Sequence, residues 1–149
     1  MIERYSRKEL KDIWEDYNKY SIWLDIELAA AESMEKLKII PKGVVKKVKS
    51  KGKINVKRIL DIESKVKHDV IAFLTSITEK TGKEARYLHK GMTSSDVLDT
   101  CFNIQLLQAG NIIVKDIDEL LKILKIKSLK YKNTICIGRS HGIHAEPTT

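Results

Sequence analysis

From Thr93 to Lys132 the chain runs forty residues without a proline and with Gly110 as its single glycine. Leu106, Ala109, Ile113, Ile117, Leu120 and Leu124 recur at steps of three or four, as an apolar stripe on a helix does. At 1.5 Å per residue such a helix is about 60 Å long, more than a compact domain of this size needs. Val97, Ile104, Leu107, Ile112 and Leu121 widen the apolar surface beyond one seam. The helix therefore demands packing on several sides, and this chain supplies too few partner helices. It reads as part of a helical bundle shared with more chain or with other subunits.

The rest is also helical in pattern. Ser6-Arg7-Lys8-Glu9 has the capping-box form and predicts a helix start just after Tyr5. Ile13, Trp14 and Tyr17 then share a face, and the pattern resumes through Trp23, Ile26, Ala30, Met34 and Leu37 until Pro41. Lys42 to Lys53 is a basic, glycine-punctuated connection with room for a short helix. Val56, Ile59, Ile62, Val66, Val70, Phe73, Leu74 and Ile77 carry helical spacing on to Gly82. An all-α fold follows.

The net charge of +8 raises the question of a polyanion partner. The cations are mostly lysines, spread over every helical segment and interleaved with Asp and Glu. The densest run, Lys42 to Lys57, contains no aromatic residue on which a base could stack. Solvated helix faces explain this charge better than nucleic acid does. Cys101 and Cys136 show no metal-ligand spacing, the first residues lack the apolar stretch of a signal peptide, and no apolar run approaches membrane-spanning length. The expectation is a soluble, cytoplasmic protein with no membrane partner.

All four histidines fall in three polar clusters. Lys67-His68-Asp69 sits in the middle of a helical pattern. Its three side chains, at adjacent positions, point in different directions and can line a pocket wall rather than form an ion-pair stack. His89-Lys90-Gly91-Met92-Thr93-Ser94-Ser95-Asp96 precedes the long helix. Thr, Ser and Asp there are ordinary N-cap residues, but a long helix start also offers unpaired N–H groups to a phosphate or carboxylate. Gly138 to Thr149 holds His141, His144, Glu146, Arg139 and several hydroxyls with hardly an apolar side chain, as an active-site loop would. His141 and His144 lack the cysteine pair or carboxylates that would complete a metal site, so no metal is expected. An unperturbed histidine, titrating at about 6.5, already suits a proton donor near neutral pH.

These clusters, in this order and spacing, resemble the N-terminal part of the adenylosuccinate lyases of the fumarase/aspartase superfamily. The matching pieces are Glu3-Arg4-Tyr5-Ser6, Lys67-His68-Asp69-Val70, His89 through Thr100, and Gly138 through Thr149. The last two are specific: fumarases and argininosuccinate lyases carry different residues after the helix-start serines and lack the Gly-Ile-His-Ala-Glu-Pro-Thr-Thr ending. The resemblance implies a helical head domain over residues 1–92, followed over 93–149 by the start of a central helical-bundle domain, truncated after its first long helix. It implies a carbon–nitrogen lyase of purine nucleotide biosynthesis, without a cofactor, that eliminates fumarate from adenylosuccinate and from a succinyl-carboxamide ribonucleotide. His141 matches the general acid, and His68 is expected to assist it. Arg4 and Tyr5 match nucleotide-holding positions, and Lys67, His68 and Asp69 a substrate-binding wall. Thr93 and Ser94 match groups on the succinyl portion, and His89 faces the phosphate.

The family's base is a serine on a mobile signature loop far C-terminal to these residues, and its sites are built from three subunits of a homotetramer. This chain alone is therefore expected to be inactive without other subunits or a complementary C-terminal fragment. Two readings from other classes stand beside this one. One is a non-catalytic helical interaction module, a remnant; the other is a basic nucleic-acid-binding helical domain.

Overall fold

The computed structural model describes residues 2–149, with no side chain described for Glu3. Packing divides the chain into two compact units, Met1–Ala109 and Gly110–Thr149. The first holds a 3-10 turn at Glu3–Tyr5, α1 (Lys8–Ile13), α2 (Asp16–Lys36), α3 (Val44–Lys51), α4 (Val56–Val66), α5 (Asp69–Thr81), a second 3-10 turn at Lys83–Tyr87, and the start of α6 (Ser94–Tyr131). The second holds the remainder of α6 and an antiparallel hairpin, β1 (Cys136–Ser140) with β2 (Ile143–Thr148). The fold is all-α apart from that hairpin.

The core of the first unit forms where three large rings meet. Tyr20 and Trp23 of α2 lie edge to face at 5.2 Å, Phe73 of α5 stacks on Tyr20 at 6.0 Å, and Trp23 meets Phe73 edge-on at 5.5 Å. Ile59 and Ile62 of α4, Val48 of α3 and Val70 and Ile77 of α5 close around them. The opening turns of α6 complete the core through Val97, Cys101, Gln105 and Ala109, all buried. That is why the first compact unit runs past residue 92 and the helix start, as far as Ala109.

Two local expectations fail, each for a visible reason. The capping box does not form: Ser6 Oγ donates instead to the Ile2 carbonyl at 2.8 Å, and Arg7 takes the N-cap position without a side-chain capping bond. Nor do Ile13, Trp14 and Tyr17 share a buried face, because α1 stops after Ile13 and α2 starts at Asp16. Ile13 is buried, whereas Trp14 and Tyr17 remain exposed. The freed Ile13 carbonyl accepts from Asn18 Nδ2 at 2.8 Å and from Gln105 Nε2 at 2.7 Å, which ties the break to α6.

α3 does form in the basic connection, starting from Gly43 at φ +98°. It lacks a local cap, and Glu35 of α2 substitutes by accepting the Val45 N–H at 2.7 Å. Lysines pair along their own helices, as Lys36 with Glu32 and Lys65 with Asp61 do, which is how a solvated charged face behaves.

By length and composition alone α6 could cross a membrane, contrary to the expectation that no apolar run approaches that size. Its opening turns are instead packed into the core. Further along, Ile113, Val114, Ile117, Leu120, Leu121, Ile123, Leu124, Ile126 and Leu129 are each half or more exposed. An apolar surface of that extent calls for a partner. The chain is therefore expected to self-associate, or to behave as a molten helical species, in sedimentation and near-UV circular dichroism. Replacing Ile117 and Leu124 together by lysine should shift it toward monomer. A compact monomer with sharp near-UV signals before substitution would contradict this expectation.

Candidate active site

The helical pattern that runs through Lys67-His68-Asp69 is broken there. α4 ends at Val66 because Lys67 adopts the left-handed conformation, φ +55°, and α5 restarts at Asp69 with the extended His68 as N-cap. The cluster is an elbow between two helices, not a stretch of one. Away from the elbow, Arg58 in the first turn of α4 ties it to the last turn of α5, donating to Glu79 through Nε at 3.0 Å and Nη2 at 2.6 Å. The guanidinium holds the Glu79 carboxyl below the usual carboxylate range. At the elbow, His68 Nδ1 faces the Ile71 N–H at 3.4 Å and Asp69 Oδ1 at 3.5 Å, so these neighbours meet rather than diverge as their spacing suggests. Both contacts cannot hold at once, since the first needs an unprotonated Nδ1 and the second a proton on it. As the N-cap of α5, Nδ1 accepts from the Ile71 N–H, which places the proton of the neutral ring on Nε2. Lys67, His68 and Asp69 are all substantially open to solvent.

The second cluster follows the 3-10 turn at Lys83–Tyr87, held to α3 by Lys47, which donates to Glu84 at 2.6 Å. Buried Leu88 anchors the chain, and His89 then takes a left-handed conformation, φ +59°. Its backbone N–H donates to Glu27 Oε2 at 2.6 Å, and its Nδ1 lies 2.7 Å from Glu27 Oε1. Glu27 comes from α2 and is fully buried. Thr93 precedes α6 as expected, with its N–H accepted by Asp96 Oδ2 at 2.8 Å, and Ser94 opens the helix. That bond accounts for Asp96 as a cap.

The third cluster is a hairpin, not a loop. Ser140 pairs with Ile143, leaving His141-Gly142 as a two-residue turn with both φ positive, +51° and +79°. A turn of that kind matches the twist of paired strands, and histidine is among the few non-glycine residues that tolerate it. Gly138 lies at a bulge opposite Ala145 and Glu146, where an added Cβ would meet the Glu146 carbonyl at 3.1 Å. Pro147, which cannot donate, is admitted because β2 has an open edge. The geometry sets His141 at the exposed tip and His144 on β2, facing Arg139 in register.

Among the described residues no hydrogen bond or ion pair links the elbow at His68 to His89 or to Thr93 and Ser94. Arg4 and Tyr5 occupy the first 3-10 turn, exposed, with the guanidinium 4.7 Å from the Tyr5 ring. A concavity of about 830 Å³ in the first unit lies elsewhere, near Glu32, Ile39 and Lys42. What the sites share is conformation. Of the four non-glycine residues with positive φ among those described, Lys67, His89 and His141 are candidate site residues; only Lys38, which ends α2, is not. Left-handed side-chain-bearing residues concentrate where function over-determines the backbone. The residue that sequence reasoning misses is Glu27. Its signal is present: a carboxylate four positions after Trp23 and four before Ala31, on the buried face of α2.

A family model described as Lyase matches residues 4–149. The chain belongs to this lyase family. It is 45% identical over its 149 residues to the adenylosuccinate lyase of Staphylococcus saprophyticus, of which it spans 35%, as an N-terminal portion would. In fold it is similar to a fumarate lyase from Mesorhizobium sp. BNC1, with a TM-score of 0.87 and 22% identity over 95% of this chain and 34% of that one. It is similar as well to a 3-carboxy-cis,cis-muconate lactonizing enzyme from Pseudomonas putida, with a TM-score of 0.84 and 23% identity over 96% of this chain and 34% of that one. At these identities the two structures speak for the helical fold alone.

In a lyase of this kind the elbow residue is expected to trade stability for chemistry. A left-handed lysine costs about 1–2 kcal/mol, partly recovered by glycine, whose own unfolded-state entropy offsets some of the gain. Lys67→Gly and Lys38→Gly should each raise the melting temperature slightly in thermal denaturation. Only Lys67→Gly should weaken binding of an anionic nucleotide. Equal binding by the two variants would remove Lys67 from the site.

Proposed function

We propose that this chain supplies part of the active site of an adenylosuccinate lyase. The complete enzyme would act in the cytoplasm as a homotetramer on two small-molecule nucleotides, adenylosuccinate and the succinyl-aminoimidazole-carboxamide ribonucleotide, each losing fumarate. The observation that carries the reading is 45% identity sustained over all 149 residues to a protein of that name. The +8 charge, carried largely by lysines on helix faces, needs no nucleic acid to explain it.

The reaction is a β-elimination. A base takes the proton from the carbon beside a carboxylate, the carbon–nitrogen bond breaks, the electron pair closes the fumarate double bond, and a general acid protonates the departing nitrogen. His141 is the acid in this reading, carried on a two-residue turn that leaves it exposed. His68, whose proton sits on Nε2, assists it. Arg4 and Tyr5 hold the nucleotide, Lys67 and Asp69 line the wall beside it, Thr93 and Ser94 hold the succinyl carboxylates at a helix start, and His89 meets the phosphate. The steps so written need no cofactor or metal. The serine base lies in a part of the enzyme that these 149 residues do not include.

An acid without its base retains little, because groups that act as a unit are not additive. This chain alone should release no detectable fumarate from adenylosuccinate, followed by absorbance. Adding a fragment that supplies the C-terminal part should generate activity, and His141→Ala in that mixture should lower turnover by about 10²–10⁴-fold with assembly intact. Activity of the chain by itself would overturn the proposed division of roles; full turnover after His141→Ala would overturn the acid.

A further inference from the structure

Glu27 has no part in the roles above, yet its side chain is completely buried and both its oxygens are engaged by one residue. It lies on α2 among Trp23, Leu28 and Ala31. A carboxylate in such surroundings is tolerated only when donors meet it. Both donors come from His89, sixty-two positions along the chain: the backbone N–H on Oε2 at 2.6 Å and ring Nδ1 on Oε1 at 2.7 Å. The first bond holds His89 in its left-handed conformation. Anchoring the loop would need no more than that. The second bond acts on the ring.

An ionised carboxylate only accepts, so Nδ1 must carry a proton. The free ring atom is then Nε2. It has no partner among the described residues, and Thr81 Oγ1 is the single buried side-chain polar atom left without one, so Nε2 is open to a ligand. We infer that Glu27 is a positioning residue: it keeps a proton on Nδ1 and sets the orientation of the His89 ring, so that Nε2 is the ring atom left to take the second proton and meet an anionic group such as a phosphate. In its doubly protonated form the ring offers Nε2–H to that anion, with the Glu27 carboxylate behind it. The inference rests on the proposed role of His89 in meeting the phosphate. His68 makes the contrast visible, since its Nδ1 accepts from a backbone N–H and its tautomer is the opposite one.

The test is ¹⁵N-histidine NMR of the whole chain through a pH titration, with inorganic phosphate as the probe. Nδ1 of His89 is expected to stay protonated throughout, with proton exchange confined to Nε2. In Glu27→Gln the amide oxygen takes the backbone N–H and the amide NH₂ faces Nδ1, so the neutral ring should switch to the Nε2–H tautomer while the melting temperature changes little. Phosphate should shift Nε2 in the native chain and bind about tenfold more weakly in Glu27→Gln, whose neutral Nε2–H still donates but which lacks the carboxylate that accompanies the doubly protonated ring. Loss of the Nδ1 proton in the native chain, or an unchanged tautomer in Glu27→Gln, overturns the inference. If the tautomers behave as expected but phosphate never moves Nε2, the phosphate-facing role of His89 falls instead. Should Glu27→Gln not fold, the native titration decides alone.

Discussion

The interlocked rings of Tyr20, Trp23 and Phe73 set α2 against α5, and the placement of two polar clusters depends on that contact. Three of the chain's nine aromatic residues are spent there, in a protein whose core is otherwise aliphatic. Edge-to-face and offset ring pairs prefer defined geometries, so they fix direction as well as burying area. One turn beyond Trp23 on α2 is Glu27, which holds His89. Just over one turn before Phe73 is His68, which starts α5. Disturbing the rings would move the acceptor for one histidine and the helix that begins at the other.

The candidate site residues lie at the ends of regular elements rather than along them. His68 caps α5, Lys67 closes α4, Thr93 and Ser94 open α6, and His141 turns a hairpin. Element ends carry unpaired backbone groups, and side chains that satisfy them are held in one orientation while their other polar atoms stay available. The two best-defined histidines show the result. Each has Nδ1 committed to the protein, one as acceptor and one as donor, and each leaves Nε2 without a protein partner among the described residues.

The long helix is legible in the sequence because nothing in Thr93 to Lys132 opposes it, and its observed bounds, Ser94–Tyr131, differ by a residue at each end. The breaks are not legible. Unbroken apolar spacing, from Ile62 through Val66 to Val70, hides the elbow at Lys67, since no glycine or proline marks it. The gap between α1 and α2 is hidden in the same way and is stabilised by Asn18 and Gln105, one of them ninety-two positions from the carbonyl it reaches. The hairpin looks like a loop because its polar content outweighs the weak strand signal of Ile137 and Ile143. The polar clusters themselves stand out in the sequence. Glu27 does not, because a lone acidic residue in a long amphipathic helix is ordinary until its burial is known.

Backbone strain connects these observations. Lys67, His89 and His141 hold a conformation in which glycine would be at ease, and glycine cannot cap, donate or accept through a side chain. Lys38 shows that a left-handed residue can simply end a helix: the Ile39 N–H reaches back to Met34 at 2.9 Å. The other three differ in what holds them. Lys67 bonds back to the Glu63 carbonyl at 2.8 Å while His68 caps α5 beside it, buried Glu27 secures His89, and the paired strands enforce the turn at His141. In each case the surrounding structure makes up for a locally unfavourable residue, and in each the residue retained is one that can transfer a proton or meet an anion.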